Sequence, residues 1–299
     1  MNHASAPTLG FGGLEPEYCD PATAKAVVIP MPYEGTTSYR SGTKEGPAAI
    51  LLASRQVELY DDELDAEPHT AGIATLAEIQ PSRRDYAAPI AQTYAAVREV
   101  LASDRFPIVL GGEHSISAGA IRAALEVYPD LSVLQIDAHA DLRDSYEDSP
   151  MSHASVMRRV CELKVPITQV GIRNISAEEM AFWKKERPSS IFWARDLRSG
   201  RHTPEEIAAT LTGHVFLTID VDGLDPAIMP ATGTPEPGGL LWYDLLDILR
   251  PVFARHTVVG ADILELAPIP GNVAPDFLCA KLVYKLVGYR FFTLPRVSP

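Results

Sequence analysis

The chain has 299 residues, of which 46% are aliphatic, aromatic or Cys, enough apolar material for a large core and too much for a disordered tail or a disulfide-stapled miniature. Its 26 basic and 39 acidic side chains give a formal net charge of −13, a surface that repels phosphate backbones and excludes nucleic acid as a general partner while suiting a small cationic one. Three scattered cysteines (Cys19, Cys161, Cys279), a start without a basic and then apolar leader, and no apolar run near the ~18 residues of a membrane span predict a soluble cytoplasmic protein with reduced thiols and no membrane partner.

In chain order, seven apolar, β-branched runs read as strands: 25–30 (KAVVIP), 106–110 (FPIVL), 131–137 (LSVLQID), 167–172 (ITQVGI), 190–194 (SIFWA), 214–220 (HVFLTID) and 258–264 (VVGADIL). Helical periodicity occupies 85–103, 116–128, 152–163, 176–186, 204–211, 242–255 and 273–288, and Gly and Pro crowd 223–239, which reads as a loop. Short apolar strands alternating with helices make a parallel sheet covered on both faces. The predicted fold is therefore α/β: a single three-layer domain over 1–299 with a central, mainly parallel sheet flanked by helices, residues 1–24 being an N-terminal extension.

Ligands of open parallel sheets gather outside the carboxyl ends of the strands. The polar clusters lie there: GGEHS (111–115) after 106–110, DAHAD (137–141) at the end of 131–137, DVD (220–222) at the end of 214–220, and Glu265 after 258–264. On an extended segment Asp137, His139 and Asp141 share one side, with alanines between them. Solvated turn residues would explain them blandly, but three convergent donors without apolar cover suit a divalent ion, and carboxylate plus imidazole without thiolate favours one such as Mn²⁺. Asp220 and Asp222 end a run too apolar for a surface strand, where unpaired carboxylates are costly without a cation. His114 follows a glycine turn; alone it reads as structural, and with the other two clusters it completes a set. Two His and four Asp exceed what one catalytic ion leaves open. They suit two ions with bridging carboxylates, a pair that lowers the pKa of bridging water toward neutrality.

GGEHS, DAHAD, SHAS (152–155) and DVDGLDPAIMPATGTPEPGG (220–239) together resemble the ureohydrolase family, the arginases, agmatinases and their relatives, over roughly 25–290. TGTPEPGG (232–239), the HAS segment and QVGIR (169–173) are most similar to agmatinases. The resemblance implies an arginase/deacetylase-like α/β fold, two Mn²⁺ ions per chain, urea release from a guanidino group and a homo-oligomer, trimer or hexamer. It places one ion on His114, Asp137, Asp141 and Asp220 and the other on Asp137, His139, Asp220 and Asp222, so that Asp137 and Asp220 bridge. It makes His153 the proton-transfer residue, an imidazole that can give and take a proton near neutrality, and Glu265 the carboxylate that holds the guanidinium. Two positions depart from the family's pattern: Glu113, where many members carry Asp, and Ala140, where they carry Thr or Pro. Neither is a ligand, so they bear on the surroundings of the metals.

The implied reaction is agmatine to putrescine and urea, with no further cofactor. Guanidinobutyrate, arginine and guanidine are alternatives within the family. A carboxylate-bearing substrate would need Arg143 or Arg173, whereas Asp144, Glu147 and Asp148 would favour a cationic tail or form a solvated loop. From another class, a two-metal phosphoesterase would need a basic cluster that these motifs lack, and a non-catalytic homologue would show a lost ligand among the six.

Overall fold

The computed structural model describes residues 10–82 and 84–293. All seven predicted runs form strands within it, and an eighth, three-residue strand joins them. In chain order the strands are β1 (Ala26–Met31), β2 (Ile73–Thr75), β3 (Phe106–Gly111), β4 (Leu131–Ile136), β5 (Ile167–Ile172), β6 (Ser190–Trp193), β7 (His214–Asp220) and β8 (Thr257–Leu264). They build one sheet in the order β2-β1-β3-β8-β7-β4-β5-β6. Every pairing is parallel, so the sheet is parallel throughout rather than mainly so.

The helices are α1 (Pro16–Cys19), α2 (Gly46–Ser54), α3 (Ala87–Leu101), α4 (Ser117–Val127), α5 (Val156–Glu162), α6 (Ala177–Glu186), α7 (Ala194–Arg198), α8 (Pro204–Ala208), α9 (Trp242–Arg255) and α10 (Ala274–Phe291). The stretch predicted over 152–163 opens as a 3₁₀ turn at His153–Ser155 and becomes helical only at Val156. β2, α2 and the short α1 and α7 escaped the sequence reading. β2 is too short to alternate, and α2 (GPAAILLAS) is apolar even on its solvent side, where Leu52 is exposed, so no polar stripe marks it as a helix.

Adjacent strand residues enter opposite layers, as the two-residue pleat requires. Val28, Ile108, Leu134 and Leu217 pack with Ile50, Leu249 and Val283 of α2, α9 and α10. Val27, Val109, Val133 and Phe216 pack with Val97, Ile121 and Val160 of α3, α4 and α5. These strand side chains are fully buried, each contributing roughly 1.5–3 kcal/mol of apolar transfer free energy. Of the stretch read as an extension, residues 1–9 lie outside the described residues. Further on, Phe11 is buried in the first layer and its N–H donates to Thr75 of β2 at 2.9 Å. The three cysteines are unpaired, and among the described residues no helix is long and apolar enough to cross a membrane.

A buried ion network ties α9 and α10 to the turn at 59–65. Lys285 Nζ lies 2.8 Å from Asp61 and 2.8 Å from Glu63, Tyr289 donates to Glu63 at 2.8 Å, and Arg250 pairs with the same carboxylate. Burial works to raise the Glu63 pKa, but Arg250, Lys285 and Tyr289 override it and hold the group at about 2 instead of 4.5. A depressed carboxyl stabilises the fold above its unfolded value and loses that contribution as pH falls toward the folded one. Glu63→Gln should therefore lower the Tm by several degrees at pH 7, at ~2–4 °C per kcal/mol in a large domain. The deficit should vanish between pH ~4.5 and ~2, where the parent protonates. Thermal scans across that range check it; a pH-independent deficit would show that shape, not charge, was lost.

Candidate metal centre

β3, β8, β7 and β4 are the four central strands of the sheet, and they are the four whose carboxyl ends carry the polar clusters. Segments far apart in sequence therefore meet above the middle of the sheet. After β3 the chain turns at Gly112, where a Cβ would sit 1.8 Å from the Tyr33 carbonyl oxygen; a glycine is required there. The turn sets His114 at the head of a 3₁₀ turn that runs into α4.

His114 is 1% exposed, and its Nδ1 lies 3.0 Å from Asp141, 3.2 Å from Asp137 and 3.5 Å from Asp220. His139 Nδ1 lies 2.9 Å from Asp222 and 3.7 Å from Asp137, with its side chain 25% exposed. His114, Asp137 and Asp141 form one compact triad, and Asp137, His139 and Asp222 a second, more open one, with Asp137 common to both. Asp220 stands beside them, its Oδ1 accepting the Asp222 N–H at 2.9 Å. All six predicted ligands thus converge.

The local geometry differs from the extended segments expected. β4 stops at Ile136, and Asp141 has a left-handed backbone with φ +53°. Asp222 lies in a 3₁₀ turn that Asp220 caps. The side chains share a side because these turns aim them, not because a strand alternates.

The donor set fits divalent cations. His114 Nε2 faces the Thr218 hydroxyl at 2.9 Å, and that hydroxyl donates to Ser117, so it accepts from Nε2–H and leaves Nδ1 as a lone pair. This buried Nδ1 has no hydrogen-bond partner. An acceptor facing three carboxylates is stable only with positive charge among them. With protons as the only cations, burial and then Asp137 push Asp141 up to about 7, and burial with Asp222 and Asp137 raises Asp220 well above its usual range. Burial would lower His139, but Asp222 and Asp137 drive it to about 12. Metal ions would replace these protons.

Beside the triads opens a cavity of about 190 Å³ that reaches His139, Asp141, His153, Asp220, Asp222 and Glu265. Glu265 holds a left-handed backbone (φ +65°), a conformation costing about 1–3 kcal/mol in a non-glycine residue. Two hydrogen bonds enforce it: its N–H donates to the Gly112 carbonyl at 2.8 Å, and its carboxylate accepts the His114 N–H at 2.7 Å. Burial, then the neighbouring Glu113, raise its pKa well above the carboxylate range. His153 has Nδ1 3.2 Å from Thr36 Oγ1 and Nε2 3.3 Å from Ser38 Oγ, with its ring edge-on to Tyr146. Burial, the largest cause, lowers its pKa to about 4, so the imidazole is neutral at pH 7.

Other charged candidates divide. Arg173 is not available to a substrate carboxylate. All three of its guanidinium nitrogens donate to backbone carbonyls, among them Asp222 at 2.6 Å, Glu236 at 2.8 Å and Pro237 at 3.1 Å, so it ties the Gly/Pro loop to the Asp222 turn. Arg143 borders the cavity 3.9 Å from Glu179. Asp144 pairs with Arg159 at 2.9 Å on the surface, and Glu147 and Asp148 sit in an exposed turn next to Tyr146 without lining the cavity themselves.

Sequence reasoning missed the supports. Gln135 donates to Asp137 Oδ2 at 2.6 Å, Gln169 to Gln135 at 2.6 Å, and Ser189 to Gln169 at 2.6 Å, a buried amide ladder across β4 and β5. The signal was a lone Gln inside each of two apolar runs. Thr36 and Ser38 sit in a loop without a pattern and gave none. Gln135→Leu should weaken metal binding by ~10–100-fold, the usual penalty for removing a ligand's hydrogen-bond partner; metal titration by calorimetry checks it, and unchanged affinity would make the ladder purely structural.

His and Asp donors converging at the carboxyl ends of a parallel sheet, beside an acidic cavity, define the class of metal-dependent α/β enzymes. Residues 24–288 match the model of the Arginase family, and the chain belongs to that family, as its motifs implied. It is 45% identical over 275 residues to the N(1)-aminopropylagmatine ureohydrolase of a Synechocystis species, covering 90% of each chain. It is 37% identical to the agmatinase of Bacillus cereus, covering 82% of this chain and 84% of that one. The crystal structure of the agmatine ureohydrolase of Thermoplasma volcanium superimposes with a TM-score of 0.81 at 34% identity, covering 90% of each chain.

Proposed function

We propose that the protein hydrolyses the guanidino group of a guanidinoalkylamine, agmatine foremost, to urea and an amine, which from agmatine is putrescine. The observation that carries this reading is the pair of His/Asp triads sharing Asp137 and opening on a cavity that Glu265 borders. The names of the similar agmatinase and aminopropylagmatine ureohydrolase support it. In this proposal His114, Asp137, Asp141 and Asp220 hold one Mn²⁺, and Asp137, His139, Asp220 and Asp222 the other. Assembly as a homo-oligomer, trimer or hexamer, and a cytoplasmic location belong to the same proposal and rest on the family resemblance.

When bound, the ions supply Lewis acidity and a water acidified toward neutral pH. The protein's own groups do the rest. Glu265 offers a fixed carboxylate to a planar guanidinium, and its contact with the His114 N–H keeps it beside the ligand cluster. An alkylamine leaves poorly unless protonated, and His153 is the neutral base within the cavity that takes up a proton and hands it to the departing nitrogen. Apart from the metal ligands, Glu179 and Glu265 line the cavity against one cationic side chain, Arg143, so it holds no basic cluster for a phosphate ester, which opposes the phosphoesterase reading.

The test is urea release from agmatine, N(1)-aminopropylagmatine, arginine, guanidinobutyrate and guanidine by Mn²⁺-loaded protein. Release from one of the two guanidinoalkylamines, and not from the carboxylate-bearing compounds, is the expected result; release from none would refute the proposal. Glu265→Gln should cut kcat/KM for the preferred substrate by roughly 10–100-fold, the worth of one charged hydrogen-bond pair. An unchanged kcat/KM would remove Glu265 from substrate binding.

A further inference from the structure

Glu113 of GGEHS stands where many members of the family carry Asp, and its carboxylate is fully buried. One oxygen, Oε2, accepts the backbone N–H groups of Gly35 and Thr36, the latter at 2.6 Å. The other, Oε1, accepts the hydroxyls of Thr36 at 2.7 Å and Ser115 at 2.6 Å. A carboxylate only accepts, so the single hydroxyl proton of Thr36 is committed to Glu113. The Thr36 oxygen has lone pairs left, and two groups of His153 reach them: the backbone N–H at 3.1 Å and Nδ1 at 3.2 Å. Nδ1 therefore carries the imidazole proton. Nε2 is left bare beside Ser38, whose hydroxyl bond to Tyr146 can run in either direction and imposes no tautomer.

We infer that Glu113 is a positioning residue for proton transfer: through the Thr36 hydroxyl it fixes His153 as the Nδ1–H tautomer and keeps Nε2 free to take and return the proton. This rests on the assignment of His153 as the proton carrier. Pinning the 33–38 loop is a separate task, done by the two backbone bonds to Oε2, and the two tasks can be uncoupled by substitution. In Glu113→Gln the amide carbonyl takes the place of Oε2 and keeps both backbone bonds. Its NH₂ then takes the place of Oε1 and donates to Thr36. The Thr36 hydroxyl must turn toward Nδ1, which drives the imidazole proton to Nε2. The loop stays while the relay reverses.

The experiment compares Glu113→Gln, Thr36→Val, Thr36→Ser, His153→Asn and the double variant Thr36→Val/His153→Asn in the metal-loaded enzyme. kcat, KM, bound metal and Tm are followed for each, and imidazole nitrogen NMR is recorded on zinc-loaded protein. Loss of the residue that sets a catalytic histidine's tautomer costs up to ~10⁴ in kcat in serine proteases; a neutral hydroxyl relay should cost about 10–100-fold. Thr36→Val and Glu113→Gln should each lower kcat by that factor with KM and metal content held, and Thr36→Ser should restore it. In the His153→Asn background Thr36→Val should lower kcat no further, because residues acting through one group are not additive. NMR should show the proton on Nδ1 in the parent and on Nε2 in Glu113→Gln. Full kcat in Glu113→Gln and Thr36→Val beside a crippled His153→Asn would overturn the relay while leaving the His153 assignment standing, as would an equal Thr36→Val loss in both backgrounds or an Nε2–H parent. Full kcat in His153→Asn would overturn the assignment itself, and the relay with it.

Discussion

Asp137→Asn is expected to take urea release below detection and to empty both triads of metal. Asp137 is fully buried and common to the two triads, so the change removes a negative charge from both at once. The amide also has no place for its NH₂. Oδ1 already accepts the His139 N–H at 2.6 Å and Oδ2 the Gln135 amide at 2.6 Å, so either orientation sets a donor against a donor. The loss should exceed the ~10–100-fold that follows from deleting a ligand's hydrogen-bond partner. Metal analysis after exhaustive dialysis, with a urea assay on the same samples, measures it. Two retained ions and a rate within tenfold of the parent would show that Asp137 is not the shared ligand.

For His153→Asn the expectation is a kcat lower by about 10²–10⁴, the usual contribution of a positioned acid or base, with both ions retained. The Asn amide can still donate toward Thr36, which lies 3.2 Å from Nδ1 in the parent, so the packing is largely kept and only the basic nitrogen is lost. The split between the variants is informative: Asp137→Asn should lose metal, His153→Asn only rate. Steady-state kinetics on metal-saturated enzyme decides it, and an undiminished kcat takes His153 out of the proton path.

The sequence by itself determined the layers and the chemistry. Runs such as LSVLQI and HVFLTI are apolar on both pleat faces, which only a strand covered on both sides tolerates, and they became β4 and β7. The carboxylates and imidazoles that end those runs were legible as candidate ligands because buried charge at a strand end demands a cation. What the tertiary structure decided is the order of the strands, and with it which clusters meet. His114 and Glu265 are 151 residues apart yet share a 2.7 Å hydrogen bond, because β8 inserts between β3 and β7. No local pattern encodes that insertion. Arg173 was legible as a cation, but only the folded loop shows its donors spent on carbonyls. Nor did alternation place Asp141 and Asp222; a left-handed residue and a 3₁₀ turn did. Gln135 supports Asp137 from two residues back along β4, but its amide is oriented by Gln169 of the neighbouring β5, and Thr36 reaches His153 from a distant loop; neither of those partners is encoded locally. Side-chain periodicity is set by the backbone within a few residues, whereas the aim of a side chain past a strand end is set by hydrogen bonds to segments that arrive from elsewhere in the chain.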